Sequence, residues 1–149
     1  MTKVTRRLFF AITTALASVA LSQVVQAEPG VTDTEIRIGM WTPLSGPVAL
    51  LGQSARDGVR LWVKEVNEKG GIHGRKINFI FYDDAGSPQE AQTAIRRLID
   101  QDQVFMLISG SVSGSTLPVR QIITREKVPF VSSIFDEAVF ALHLSHLRK

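Results

Sequence analysis

Residues Ser109-Gly110-Ser111-Val112-Ser113-Gly114-Ser115-Thr116 collect hydroxyls and glycines in one short run. Hydroxyls and free backbone N–H groups at the start of a helix make a site for a carboxylate or another anion. The same composition also makes a plain loop with a serine helix cap. Acyl transfer fits it poorly: a nucleophile elbow needs Gly-x-Ser-x-Gly, and Val112 stands at the centre of Gly110–Gly114. No Gly-Lys-Ser/Thr follows to form a P-loop, and the chain has no Gly-x-Gly-x-x-Gly for a dinucleotide. Asp83-Asp84 could form an acid pair or a metal site, but no histidine or third carboxylate lies nearby in sequence. A polar strand end that caps the next loop is the expected role. His143 and His146 sit at helical spacing without an obvious further ligand, and His73 lies in a Gly-rich turn. Trp41 reads either as a wall of a ligand crevice or as a core aromatic, and Trp62 as core.

These residues need elements to place them, and the chain alternates strand and helix signals. Strands are expected at Glu35–Trp41, Lys76–Tyr82, Val104–Ile108 and Val128–Ser132. In the first, Ile36, Ile38 and Met40 share one side. A helix over Gly52–Lys69 would bury Ala55, Val59, Trp62 and Val66, with Gly70-Gly71 as its stop. Ser87-Pro88-Gln89-Glu90 reads as a capping box that opens a helix to about Asp100. A third helix is expected over Leu117–Arg125. This order implies an α/β fold: a doubly wound parallel sheet with right-handed crossovers and helices on both faces. Ligands in such sheets sit beyond the carboxyl ends of the strands. Those ends are Thr42–Leu51, Asp83–Ser87, Ser109–Thr116 and Ser133–Asp136.

The first 27 residues read as a secretory signal peptide. Lys3, Arg6 and Arg7 precede the apolar run Leu8–Leu21, and Val25-Gln26-Ala27 offers a small-x-small cleavage site before Glu28. The run is shorter than the roughly 20 residues of a membrane span. No stable membrane insertion is therefore expected after cleavage. Thr5-Arg6-Arg7-Leu8-Phe9 fits a twin-arginine export signal, and paired arginines also occur in ordinary secretory signals. Without cysteine there is no lipid-modified N-terminal cysteine and no disulfide. Taking Lys3, Arg6 and Arg7 from the 17 basic residues leaves 14 against 14 acidic ones. That balance argues against nucleic acid as a partner.

A resemblance rests on Pro43-Leu44-Ser45-Gly46-Pro47, Gly52, Val66-Asn67, Gly70-Gly71-Ile72-His73-Gly74-Arg75-Lys76, Tyr82-Asp83-Asp84-Ala85, Pro88, Ser113-Gly114-Ser115-Thr116 and Val128-Pro129. In this order and spacing, the stretch Ile36–Ser133 resembles the type I periplasmic solute-binding proteins of ATP-binding-cassette importers, in the branched-chain amino acid (Leu/Ile/Val)-binding family. The resemblance implies two doubly wound lobes that close over a ligand, with residues 28–136 as part of the N-terminal lobe. It implies no cofactor and no catalysis. The ligand would be an amino acid of branched-chain type, or a short amide, urea or aromatic acid, and the partner a membrane permease. Localisation would be periplasmic. By position, Ser113 would hold the ligand carboxylate, with Gly114, Ser115 and Thr116 beside it. Ser133, Ile134 and Asp136 would contribute from the loop after the fourth strand. Leu51 stands where many members place an aromatic against the ligand, and Asp136 where amino-acid binders often carry threonine. Gly86 and Val112 replace a disulfide pair found in some members.

Residues 137–149 do not resemble the family's continuation, so a fragment or a frameshifted reading frame is expected. Two rival functions compete with transport. A sensor uses the same fold, although no helix-turn-helix accompanies it here. A small exported hydrolase would use Ser111 or Ser113, but no histidine falls at another strand end to act as base.

Overall fold

The computed structural model describes residues 28–110 and 112–132. The expected signal peptide, Ser111, Ser133, Ile134, Asp136, the tail 137–149 and its two histidines lie outside the described residues. Four parallel strands form one sheet in the order β2-β1-β3-β4. They are β1 (Glu35–Thr42), β2 (Lys76–Asp83), β3 (Met106–Ser109) and β4 (Phe130–Ser132). The register pairs Trp41 with Tyr82 on one side and with Ser109 on the other, and Ser109 with Ser132.

The helices are α1 (Ala49–Glu68), α2 (Pro88–Arg96), α3 (Ser113–Thr116) and α4 (Arg120–Glu126). A π turn over Arg97–Gln101 prolongs α2, and a 3-10 turn over Leu117–Val119 joins α3 to α4. Half of the capping box forms: Ser87 accepts the Glu90 N–H, with Pro88 in the first turn, while the Ser87 N–H goes to the Asp84 carbonyl instead of the Glu90 side chain. Past the end of α1, Gly70 and Gly71 both take positive φ, and the Gly71 N–H reaches back to the Val66 carbonyl. That is the Schellman closure, which glycine enters without strain.

The sheet path fixes which face each helix covers. The chain moves outward from β1 to β2 and then crosses back over β1 to β3 and β4. Right-handed crossovers therefore put α1 on one face and α2, α3 and α4 on the other. Side chains alternate accordingly. Trp41, Leu107 and the partly buried Ile80, Tyr82 and Phe130 meet Ala91, Ala94, Ile95 and Leu98 of the α2 segment and Val119 and Ile123 of the α4 segment, which is the main core.

The opposite face carries Ile38, Met40 and Ile77 under α1. A helix about 10 Å across spans about two strands spaced about 4.8 Å apart. So α1, packed on β2 and β1, leaves the same side of β3 and β4 open, and Val131 there is 46% exposed. This corrects the placement of Trp62. It falls on the apolar stripe of α1, yet it is 48% exposed, because no second helix among the described residues flanks α1 to cover it. At the outer edge of β2, the Asn67 side chain donates to the Ile77 carbonyl (2.9 Å) and accepts the Ile77 N–H (2.8 Å).

Candidate ligand-binding site

Three described loops gather at the carboxyl ends of the strands. The first follows β1 and runs against the start of α1. Gly52 is buried there, and a Cβ on it would sit 2.1 Å from the Pro43 carbonyl oxygen. Only glycine lets the helix approach that closely. Gln53 Nε2 donates to the Leu44 carbonyl (2.8 Å) and fixes the same loop from within α1.

The second loop follows β2, and its two carboxylates serve the backbone. Asp83 Oδ1 accepts the N–H groups of Leu44 (2.7 Å), Ser45 (3.2 Å) and Ala85 (2.8 Å), and so ties the first loop to the second. Partial burial pushes this carboxyl up. The Ser45 hydroxyl and the backbone N–H groups of Ala85, Leu44 and Ser45 outweigh that and hold it below the usual carboxylate range. Asp84 is fully buried and accepts the Gly86 N–H at 3.0 Å. The pair thus caps and joins loops, as the polar strand-end reading expects.

The third loop follows β3 and begins with a backbone step back to β1, where the Gly110 N–H meets the Trp41 carbonyl at 3.2 Å. Thr42 Oγ1 donates to the Gly110 carbonyl at 2.9 Å. Thr42 belongs to the α1 side of the sheet, in line with Ile38 and Met40. On the other side, the buried hydroxyls of Ser109 and Thr116 meet at 2.9 Å. The Val112 carbonyl accepts the Ser115 hydroxyl (3.2 Å) and the N–H groups of Ser115 and Thr116 (3.1 Å each). The loop is therefore fastened from both faces of the sheet.

This geometry divides the expected contacts. Ser113 is half-buried and Gly114 exposed, with open space where a Gly114 Cβ would lie. Ser115 and Thr116 are buried. Their hydroxyls turn inward to Val112 and Ser109, so the helical turn has an inner and an outer side. Trp41 is also corrected in favour of its core reading. It has no exposed surface and stacks on Phe130 with ring centroids 5.6 Å apart. Leu51 is 60% exposed in the first turn of α1, beside the exposed Val48 and Leu50. Sequence reasoning did not single out Thr42. Its signal was a hydroxyl at the last position of an otherwise apolar strand side.

Comparison with known proteins agrees with this arrangement. The family described as periplasmic binding protein matches residues 35–143, past the boundary expected at Asp136. A Leu/Ile/Val-binding protein of Rhizobium johnstonii is 32% identical over 119 residues, which cover 80% of this chain and 30% of that relative. Among solved structures, the LivJ substrate-binding protein of Streptococcus pneumoniae, in complex with isoleucine, aligns with a TM-score of 0.68 at 28% identity. It covers 73% of this chain and 32% of that one. A fatty acid transporter substrate-binding protein of Thermomonospora curvata aligns with a TM-score of 0.62 at 30% identity, covering 75% and 28%. The chain thus spans about a third of the length of these relatives, which are solute-binding proteins and not enzymes. A parallel sheet with helices on both faces, polar loops at its carboxyl ends and a match over most of the chain lead to one conclusion: this chain belongs to the periplasmic binding protein family, alongside its branched-chain amino acid-binding members.

Proposed function

We propose that this chain forms part of the ligand-gripping lobe of an importer's substrate-binding component, and that it takes a small solute bearing a carboxylate. An amino acid of branched-chain type comes first, and a related amide, urea or aromatic acid follows. The observation that carries the reading is the division of the third loop. Ser113 is half-buried and Gly114 exposed at the carboxyl end of β3, while Ser115 and Thr116 fasten the turn from within. A carboxylate there would accept the Ser113 hydroxyl and backbone N–H groups of the turn. Such charge-assisted bonds are stronger than neutral ones. The exposed apolar group Val48, Leu50 and Leu51 belongs to the neighbouring loop and helix start, and an aliphatic side chain of the ligand would lie toward it.

In a complete two-lobed member, the second lobe would close over this surface by a hinge, exclude water and present the closed form to a membrane permease. One lobe supplies only part of the enclosure, so affinity of this chain alone would be weak. Titration calorimetry with leucine, isoleucine, valine and benzoate tests the reading. Binding of at least one carboxylate, weakened about tenfold or more by Ser113→Ala, is the expected outcome. No heat with any of them, from folded protein, would end it. Export to the periplasm with cleavage before Glu28 belongs to the same proposal, and N-terminal sequencing of the exported product reads it directly.

A further inference from the structure

The third loop ties carbonyl groups back into the fold. A loop that binds an anion must present donors, and outward carbonyl oxygens would repel the ligand. Here the two carbonyls that flank Ser111 are both tied back into the fold. The Gly110 carbonyl is held by Thr42 Oγ1 at 2.9 Å, across the strand gap from β1. The Val112 carbonyl is held by the Ser115 hydroxyl and by two N–H groups of the following turn. Thr42 is buried, so its hydroxyl has no solvent partner to compete for it. Gly110 packs just as closely: a Cβ there would lie 1.9 Å from the end of the Met40 side chain and 3.1 Å from Thr42 Oγ1.

We propose that Thr42 is a positioning residue that sets the charge selectivity of this loop: by holding the Gly110 carbonyl down against β1, it keeps the loop a donor surface that prefers a carboxylate over its uncharged amide. Thr42 does not touch the ligand and acts through Gly110. The inference rests on the ligand reading given above. Removing the hydroxyl while keeping the shape, as in Thr42→Val, releases that carbonyl. It can then turn toward the crevice, where its negative end opposes a carboxylate but accepts an amide N–H. A merely structural threonine would change stability and affinity together and leave the preference between the two ligands untouched.

The test uses the full chain and two probes, L-leucine and L-leucinamide, which differ only in carboxylate against amide. Dissociation constants for both are measured for the wild type, Thr42→Val and Thr42→Ser, well below each melting temperature. The expected result is that wild type prefers leucine, that Thr42→Val lowers this preference about tenfold, and that Thr42→Ser restores it. Equal weakening of both probes in Thr42→Val overturns the role of Thr42 while leaving the site standing. Wild type that binds neither probe, or binds both equally, overturns the carboxylate reading itself and this inference with it. If Thr42→Val does not fold, Ser115→Ala loosens the second carbonyl. Its preference is expected to fall about threefold, because two N–H groups remain on Val112. An unchanged preference there counts against the inference.

Discussion

The two faces of the sheet are built to different standards. On the α2–α4 face, Trp41, Ile95, Leu98, Leu107, Val119 and Ile123 are wholly buried against one another. On the α1 face, Ile38, Met40 and Ile77 are covered, but Met106 and Ile108 are only half-buried and Val131 is largely open. Apolar burial contributes in proportion to the area removed from water. The α2–α4 face must therefore carry most of the stability of the described residues. The site does not follow that division. Its third loop is fastened by Thr42 on the sparse face and by Ser109 and Thr116 on the dense one. The site thus draws on both faces, and mutations on the two are informative in different ways.

The comparison breaks most directly at Leu98. It fills the space above Gly39, where a Cβ would come within 2.8 Å of its side chain. Leu98→Ala should destabilise the fold by about 2–5 kcal/mol in urea unfolding, the range for a buried leucine. A loss near zero would show that the dense face is not where stability resides.

An intermediate effect is expected at Asp83, which joins loops and packs on neither face. Its carboxyl is held below the ordinary carboxylate range, so its contribution is present above about pH 4. It fades as pH falls through the lowered folded-state value. Asp83→Asn should remove that acid-side slope. It should cost less than about 1 kcal/mol at pH 7, since the residue is exposed and water screens it. Melting curves from pH 2 to pH 7 compare the two proteins, and an unchanged slope in the variant would remove Asp83 from the account. The smallest change belongs to the open face. Val131→Thr should shift stability by no more than about 0.5 kcal/mol. A larger loss would mean that something covers Val131.

Much of the fold was legible because it depends on local rules. The strand alternation of β1, the serine cap at Ser87 and the double glycine after α1 each act over a few residues, and each appears where the sequence places it. Trp62 shows where such rules stop. Helical spacing tells which face a residue takes, but burial needs a neighbour on that face, and the neighbour is a property of the whole sheet. The π turn after α2 has the same character, since nothing in Arg97–Gln101 breaks the helical pattern. In the site, composition identified the hydroxyl loop. Spacing alone could not divide Ser113 and Gly114 from Ser115 and Thr116, because adjacent residues on one helical turn point a hundred degrees apart. The contribution of Thr42 was hidden for another reason: its partner Gly110 is 68 residues away.

The pairing of Asn67 with Ile77 closes one point on the margin of the sheet. A strand edge is a template, and another backbone can add to it wherever N–H and carbonyl groups are unspent. At Ile77 both groups are spent on a side-chain amide that stands in for a neighbouring strand without offering a further edge. The β2 margin is therefore blocked at its start from within its own crossover. A strand approaching that margin, from the same polypeptide or from a neighbouring molecule, would find no free backbone group at Ile77.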